Sequence, residues 1–139
     1  MDLWTGGLNY LAMVIVTLIP MALGSWWYST VGLGQLWMRL VGKTEEELRA
    51  QDGMAIGFTA VTLGVLVLSY VLALLTRFVG AGSFVDGLVL GLWLWVGVVA
   101  TTSVGHYVFG GHGLRLWALD NAYPLIAVPI MAGILAAWR

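Results

Sequence analysis

Residues 54–76, MAIGFTAVTLGVLVLSYVLALLT, run without a single charged side chain. A helix needs about 20 predominantly apolar residues to cross the hydrocarbon core of a bilayer. Three other apolar runs of comparable length lie at about 8–28, 84–109 and 117–138. The four runs predict four membrane spans, which are called the first to fourth spans in chain order.

The composition of the whole chain agrees with this prediction. Only 9% of its 139 residues are charged and 60% are hydrophobic, whereas a soluble domain carries about 25% charged residues. Lipid cannot satisfy backbone amides, so a span is a helix or a strand of a closed barrel. Barrel strands alternate over about ten residues, and these runs are continuous and longer. We therefore predict an all-α integral membrane protein, a four-transmembrane-helix bundle forming one membrane domain over residues 1–139.

Several kinds of chemistry have no support in the sequence. The net charge is −1 and there is no cysteine, so neither a basic surface for nucleic acid nor a disulfide or thiolate site is expected. Two histidines without clustered carboxylates do not make a metal site. The glycine-rich segment 110–113 lacks the lysine of a phosphate loop. We expect no nucleic-acid partner, metal or cofactor, and no motif indicates an enzyme.

Aromatic residues cluster near the ends of the predicted spans. Such rings favour the headgroup level of a bilayer, so most are interpreted as anchors rather than as ligand-binding groups. They are Trp4, Tyr10, Trp26, Trp27, Tyr28, Phe78, Phe84, Tyr107, Phe109, Trp117 and Trp138. Trp93 and Trp95 lie well inside the third span, where they face a cavity, lipid or another helix.

Basic residues predict the orientation in the membrane. The 29–53 connection contains Arg39, Lys43 and Arg49, and the 110–116 connection contains Arg115. The opposite side has Arg77, Arg139 and the terminal amine. The positive-inside rule then puts both termini outside and the 29–53 loop in the cytoplasm.

The 29–53 connection is predicted to contain a short amphipathic interfacial helix, within about 33–51. Its apolar side chains recur at helical spacing and form one stripe. The stripe consists of Leu33, Leu36, Trp37, Leu40 and Val41. Thr44 and Glu47 then match a capping box, which starts a helix. Cation or partner binding by the acidic residues 45–47 is the alternative.

Small residues recur at spacings that allow helices to approach closely. The second span has Gly53, Gly57, Ala60 and Gly64, the third has Gly87 and Gly91, and the fourth has Ala132 and Ala136. These faces either pack inside the bundle or form a dimer interface, and the sequence leaves both open.

Charged residues inside a membrane span are candidate functional sites because they are costly there. Arg77 and Asp86 lie at similar distances from the turn at 80–83. In antiparallel helices they would lie at one depth, and we predict a structural ion pair between them.

A second mirror relation is centred on Gly113, from which His106 and Asp120 are equally distant. We predict that they meet near the cytoplasmic face, in a polar pocket that also includes Thr102, Asn121 and Tyr123. A histidine beside a carboxylate can move protons near neutral pH. The pocket is thus a proton relay or the floor of a solute cavity, or else the pair is a hydrogen-bonded clasp. Pro124 and Pro129 are expected to interrupt the fourth span. Broken helices beside an intramembrane charge are a feature of transporters, although many membrane proteins that transport nothing also contain proline.

Several segments together resemble a family of small bacterial membrane proteins, catalogued as domain of unknown function seventeen sixty-one. They are residues 27–29, 37–39, 42–48, 86–87, 100–102 and 136–139, of which 42–46, GKTEE, is the most specific. The resemblance covers nearly the whole chain and implies a four-helix bacterial membrane protein, so that the expected location is a bacterial inner membrane. It implies no activity or ligand. His106 stands where the family pattern has an asparagine or a similar residue, so a histidine relay would be private to this chain.

Two functions therefore remain open from the sequence. One is a carrier or binder of a small solute or proton, working through the polar pocket. The other is a non-catalytic accessory subunit that packs against other membrane proteins through its small-residue and tryptophan faces. We also expect the bundle to be oligomeric.

Overall fold

The computed structural model describes residues 7–139, which are all-helical apart from turns. Trp4 lies outside the described residues. The elements are α1 (Tyr10–Trp27), α2 (Gly34–Val41), α3 (Glu45–Arg49), α4 (Met54–Phe78), α5 (Phe84–Leu94), a π-helical segment (Trp95–Ala100), α6 (Thr101–Phe109) and α7 (Gly113–Ala137). The third span is continuous through α5, the π-helical segment and α6, from Phe84 to Phe109.

The predicted four-helix fold is confirmed. Four helices are long and apolar enough to cross a membrane, and they match the four predicted spans. The largest difference is at α7, which begins at Gly113 rather than at 117. Hydropathy placed the boundary after Arg115, but the chain reverses at Gly110–Gly111 and the helix starts at once, so Arg115 lies in its first turn.

The loop between the first two spans contains two helices rather than one over 33–51. Helix α2 ends at Gly42, which has φ of +76° and whose N–H donates to the Met38 carbonyl. This left-handed ending suits glycine. The predicted capping box is confirmed: the Glu47 N–H donates to Thr44 Oγ1 at 3.2 Å, and the Thr44 N–H donates to Glu47 Oε2 at 2.9 Å.

Helix α7 is the centre of the bundle. Half of its apolar span is buried, against 11–22% for the other three. It continues without a break through Pro124 and Pro129, so the predicted interruption is wrong. In a packed helix, each proline removes one backbone donor while neighbours hold the rest of the helix in place.

The tightest packing lies between α5 and α7. A Cβ added at Gly87 would overlap the Ala132 carbonyl, and one added at Gly91 would overlap the Pro129 backbone. Hence Gly87 and Gly91 pack inside the bundle and let the two helix backbones touch.

The core lies at the end of the bundle where α1 begins and where α4 and α7 end. It joins the start of α1 to the last turns of α4 and α7, and its buried members are Leu8, Ala12, Val16, Leu72, Ala73, Val128, Met131, Ala132 and Leu135. Ser69, fully buried, ties α4 to α1 by donating from Oγ to the Met13 carbonyl at 2.8 Å. We call this the closed end.

At the opposite end, α4 separates from the bundle. Every residue from Gln51 to Val61 is exposed. A Cβ added at Gly57 or Gly64 would have no atom within 4 Å. We call this the open end, and both clefts described below lie there.

Candidate functional site

The carboxylate of Asp120 accepts hydrogen bonds from two tyrosines at the open end. The Tyr28 hydroxyl donates to Oδ1 at 2.8 Å and the Tyr107 hydroxyl donates to Oδ2 at 2.9 Å. Tyr28 directly follows α1 and Tyr107 lies in α6, so the carboxylate links three spans. A carboxylate has about four lone-pair positions. Asp120 therefore keeps acceptor capacity for a further donor.

Asp120 has no cationic partner in the part of the chain that the structure describes. Over residues 7–139 the ion pair is Arg49 with Glu45, one turn apart on α3. Asp120 lies seven residues into α7, or about 10 Å along the helix axis. A charge at such a depth is costly unless it is hydrogen-bonded, and the two tyrosine hydroxyls provide that.

The pKa of Tyr28 is raised far above its ordinary value. Burial is the main cause, followed by the hydrogen bond to Asp120 and the charge of that carboxylate. The Tyr28 hydroxyl therefore stays protonated and keeps its hydrogen bond to Asp120 throughout the physiological pH range.

Next to Asp120, the side chain of Asn121 is the centre of a second polar cluster. Its Oδ1 accepts from the Ser103 hydroxyl at 3.2 Å, and its Nδ2 donates to the Trp117 carbonyl at 2.9 Å. The Trp117 indole closes the ring by donating to Ser103 Oγ at 2.8 Å. Asn121 is only 7% exposed, so the cluster satisfies an amide that would otherwise be costly to bury.

Two further indoles tie neighbouring spans to the backbone beside Asp120. Trp27 Nε1 donates to the Leu119 carbonyl at 3.0 Å, and Trp95 Nε1 donates to the Asn121 carbonyl at 2.9 Å. The carbonyl between them belongs to Asp120 and has no helical donor, because Pro124 stands four residues later. Trp95 begins the π-helical segment, a kind of irregularity that is often found at functional sites.

Aromatic rings surround Tyr28. Its ring centroid lies 5.8 Å from those of both Trp37 and Tyr123, each in an edge-to-face arrangement. Trp27 adds a contact to Tyr123 at 6.3 Å. This geometry is favourable for aromatic pairs, and it brings the amphipathic helix α2 against the end of α1 and the first half of α7.

Asp120 and the two tyrosines that donate to it line a cavity of about 720 Å³, which we call the Asp120 cleft. It lies between the loop helices α2 and α3 and the membrane spans. Its lining consists of Tyr28, Ser29, Thr30, Gly34, Trp37, Met38, Glu45, Leu48, Tyr107, Asp120, Asn121, Tyr123 and Pro124. None of these described lining residues is Lys, Arg or His. The volume is typical of small-molecule sites.

A second cavity of about 640 Å³ lies between α1 and the separated half of α4. Tyr28 and Tyr123 line both cavities and so form the wall between them. Its remaining surface is mostly apolar and includes Pro20, Met21 and Phe58. We call it the α1–α4 groove.

Of the predicted pocket residues, Asp120, Asn121 and Tyr123 line one cleft, but His106 and Thr102 do not. His106 is exposed, and the α6 donor to Asp120 is its neighbour Tyr107. The mirror relation concerns depth alone and carries no information on rotation, and one residue turns a helix by about 100°. Thr102 is exposed and donates to the Val98 carbonyl in its own helix.

Tyr28 and Trp37 are not among the site residues predicted from the sequence. Tyr28 has the position of a membrane anchor, and Trp37 belongs to the apolar stripe of the loop helix. Tyr28 directly follows the first span, and that span ends near Asp120, at the same depth. This agreement in depth is the signal that would have identified Tyr28.

The predicted ion pair between Arg77 and Asp86 is not formed within residues 7–139. Asp86 instead caps its own helix: its Oδ2 accepts from the Ser83 N–H at 3.0 Å and from the Gly82 N–H at 3.3 Å. The Asp86 N–H donates in return to Ser83 Oγ at 3.1 Å. A capping box satisfies the carboxylate locally, and the Arg77 guanidinium lies beside Gly7.

The fold and the site define a multi-pass helical membrane protein with a polar cleft at one end of its bundle. The chain belongs to the family described as Protein of unknown function (DUF1761), whose model matches residues 11–136. The match covers both loop helices and all four spans except Tyr10 at the start of α1 and Ala137 at the end of α7. Neither the curated proteins nor the solved structures contain a significant match to this chain.

Proposed function

We propose that this protein binds a small polar solute in the Asp120 cleft and carries it into or across a bacterial inner membrane. The observation that supports this most directly is Asp120 itself. Its carboxylate is held by two tyrosine hydroxyls, has no cationic partner among the described residues, and lines a cavity of ligand size. Intramembrane charge of this kind is typical of substrate pathways.

Binding of a solute in the Asp120 cleft is better supported than a proton relay through His106. A relay through His106 requires a path from the imidazole to Asp120, and the donor at Asp120 is Tyr107 instead. A tyrosine hydroxyl held by a carboxylate orients that carboxylate for a ligand. It does not exchange protons readily near neutral pH, because its ordinary pKa is about 10.

Binding and flux in proteoliposomes, with Asp120→Asn as the principal variant, test the proposal. We expect the variant to lose solute-dependent stabilisation and flux while retaining its helical content. Asp52→Asn is the matched control, since Asp52 is an exposed carboxylate in the α1–α4 groove rather than in the Asp120 cleft. Equal flux in wild type, Asp120→Asn and Asp52→Asn would reject the carrier proposal.

In this proposal the Asp120 cleft opens towards the cytoplasm, with both termini outside, because the basic residues favour that orientation. Since the chain has no cysteine, a single introduced cysteine reports topology without background. Lys43→Cys should react with an impermeant thiol reagent only in inverted vesicles, and Gly82→Cys only in intact cells. The reverse pattern would invert the orientation.

The alternative function is an accessory subunit, and the exposed half of α4 favours it. Gly57 and Gly64 offer a helix surface with open space in front of each glycine, and small residues at helix surfaces let a second helix approach. The partner would be another membrane protein. Gly57→Trp should then dissociate a complex isolated by gentle extraction, as measured by light scattering. A wild-type protein that is monomeric in lipid nanodiscs and binds no other membrane protein would contradict this function.

A further inference from the structure

We propose that the Asp120 cleft selects an organic cation, in which alkyl groups surround a positively charged nitrogen. This inference rests on the proposed function and names the ligand class for the same cleft. Three properties of the lining residues lead to it. They are the negative charge, the aromatic rings, and a donor set that does not suit a metal cation.

The charge of the cleft is negative. Asp120 and Glu45 are the two carboxylates among its described lining residues, and none of those residues is basic. Arg49 neutralises Glu45 from outside this lining, which leaves Asp120 as the uncompensated charge. An anionic ligand would be repelled by Asp120 and would find no cation to bind it.

The walls of the cleft are aromatic. Four of the lining residues carry rings, and they are Tyr28, Trp37, Tyr107 and Tyr123. The face of an aromatic ring attracts a cation, most strongly for tryptophan, and cages of such rings bind quaternary ammonium groups. Tyr28 and Tyr107 also donate hydrogen bonds from their hydroxyls to Asp120. This donation places electron density on both rings and leaves both phenol oxygens as acceptors.

The donor set does not suit a metal cation. Calcium takes six to eight oxygen ligands and magnesium requires near-octahedral oxygen coordination. No group of three His, Asp or Glu side chains is placed to hold a metal within residues 7–139. One carboxylate with aromatic walls instead matches a large, weakly hydrated cation, which gains contact area from the rings and charge neutralisation from Asp120.

The test uses three compounds of nearly the same shape: choline, the neutral 3,3-dimethylbutan-1-ol and the anionic 3,3-dimethylbutanoate. Binding to the full-length protein in lipid nanodiscs is measured by isothermal titration calorimetry. We expect choline to bind at least tenfold more tightly than either isostere. Asp120→Asn should weaken choline binding by about tenfold or more, the effect of losing a charge-assisted contact of roughly 1.4 kcal/mol.

Trp37→Leu tests the aromatic wall without touching the carboxylate, and it keeps the inference testable if Asp120→Asn does not fold. Its expected effect on choline binding is a weakening of about threefold to thirtyfold. Trp93→Leu is the matched control, because Trp93 is 70% exposed and lies outside the cleft lining. Choline binding should be unchanged in that variant.

The outcomes separate this inference from the proposed function. If an isostere binds as tightly as choline and Asp120→Asn still abolishes its binding, the cation inference is wrong and the solute-binding function stands. Choline binding that is the same in wild type, Asp120→Asn and Trp37→Leu overturns the inference, and so does the absence of choline binding to the wild type. The proposed function itself fails only if flux, too, is independent of Asp120.

Discussion

Two regions carry glycines at comparable spacings but have opposite surroundings. One is the seam between α5 and α7, and the other is the exposed first half of α4. Both carry glycines at spacings that suit close helix packing. At the seam, Gly87 and Gly91 touch the backbone of α7, whereas Gly57 and Gly64 in α4 face open space. Small residues therefore mark where a helix is able to pack, while the partner decides whether it does.

The same difference in packing distinguishes the two ends of the molecule. The closed end has the buried core and short inter-helical hydrogen bonds such as that of Ser69. The open end has the Asp120 cleft and the α1–α4 groove. A bundle that is packed at one end and separated at the other provides cavities without losing its fold, because the closed end supplies the cohesion.

The largest effect is expected when the stability of the Gly91→Ala variant is compared with that of the Gly64→Ala variant. At Gly91 the methyl group would overlap the Pro129 backbone, so we expect a loss of about 3 kcal/mol, as for strong overpacking. At Gly64 the methyl has free space, and alanine should stabilise the helix by up to about 1 kcal/mol. Denaturation in mixed micelles measures both. Equal losses would mean that α4 is also packed at Gly64.

The next largest effect is expected at the polar cluster around Asn121. Asn121→Ala leaves Ser103 and Trp117 without their amide partner, and we expect a loss of about 1–3 kcal/mol, as for an unsatisfied buried group. Thr59→Ala on the exposed half of α4 is the control, since its hydroxyl only donates to the Ala55 carbonyl one turn back. The same denaturation assay should show almost no change for that variant. A negligible loss at Asn121 would show that the cluster does not stabilise the open end.

A smaller effect is expected when one of the donors to Asp120 is removed. Tyr28→Phe keeps the ring contacts with Trp37 and Tyr123 but loses the hydroxyl, at a cost of about 1 kcal/mol. Tyr10→Phe, at a tyrosine that is 57% exposed at the closed end, is the control. If the two variants lose the same stability, the hydrogen bond to Asp120 contributes nothing measurable.

The smallest effect is a pH dependence of stability due to Tyr28. Because its pKa is raised in the folded protein, its contribution is fully present below the unfolded pKa of about 10. It is lost as the pH rises from there towards the higher folded pKa, since the unfolded chain ionises first. Wild type should thus lose more stability than Tyr28→Phe between neutral pH and alkaline pH. Parallel curves for the two proteins would exclude a role of Tyr28 in this decrease.

Most predictions that depended on local physics were accurate, although the interruption expected at Pro124 and Pro129 was wrong. The four spans follow from the requirement that a bilayer-spanning segment be apolar and helical, and the Thr44 capping box follows from side chains three residues apart. The amphipathic stripe likewise predicted α2, although Gly42 divides the loop segment into two helices. Each of these features is decided within a few turns of chain.

Predictions about pairs of residues on different helices were less accurate. Antiparallel geometry predicted a contact between the end of the third span and Asp120, but Tyr107 makes that contact in place of His106. The π-helical segment adds residues to one turn of the third span and so changes the rotation of α6 relative to α5. Asp86 likewise finds backbone donors in its own first turn instead of Arg77.

The sequence by itself determined that this chain forms four apolar helices with a capped amphipathic loop, because length, hydropathy and capping are local properties that the bilayer or water enforces directly. Only the tertiary structure decided which glycines are packed and which tyrosines hold Asp120. Those contacts depend on the rotation and separation of helices that are distant in sequence. A rotation of one residue exchanges Tyr107 for His106 at almost no cost in hydropathy, so the apolar pattern carries no information about it.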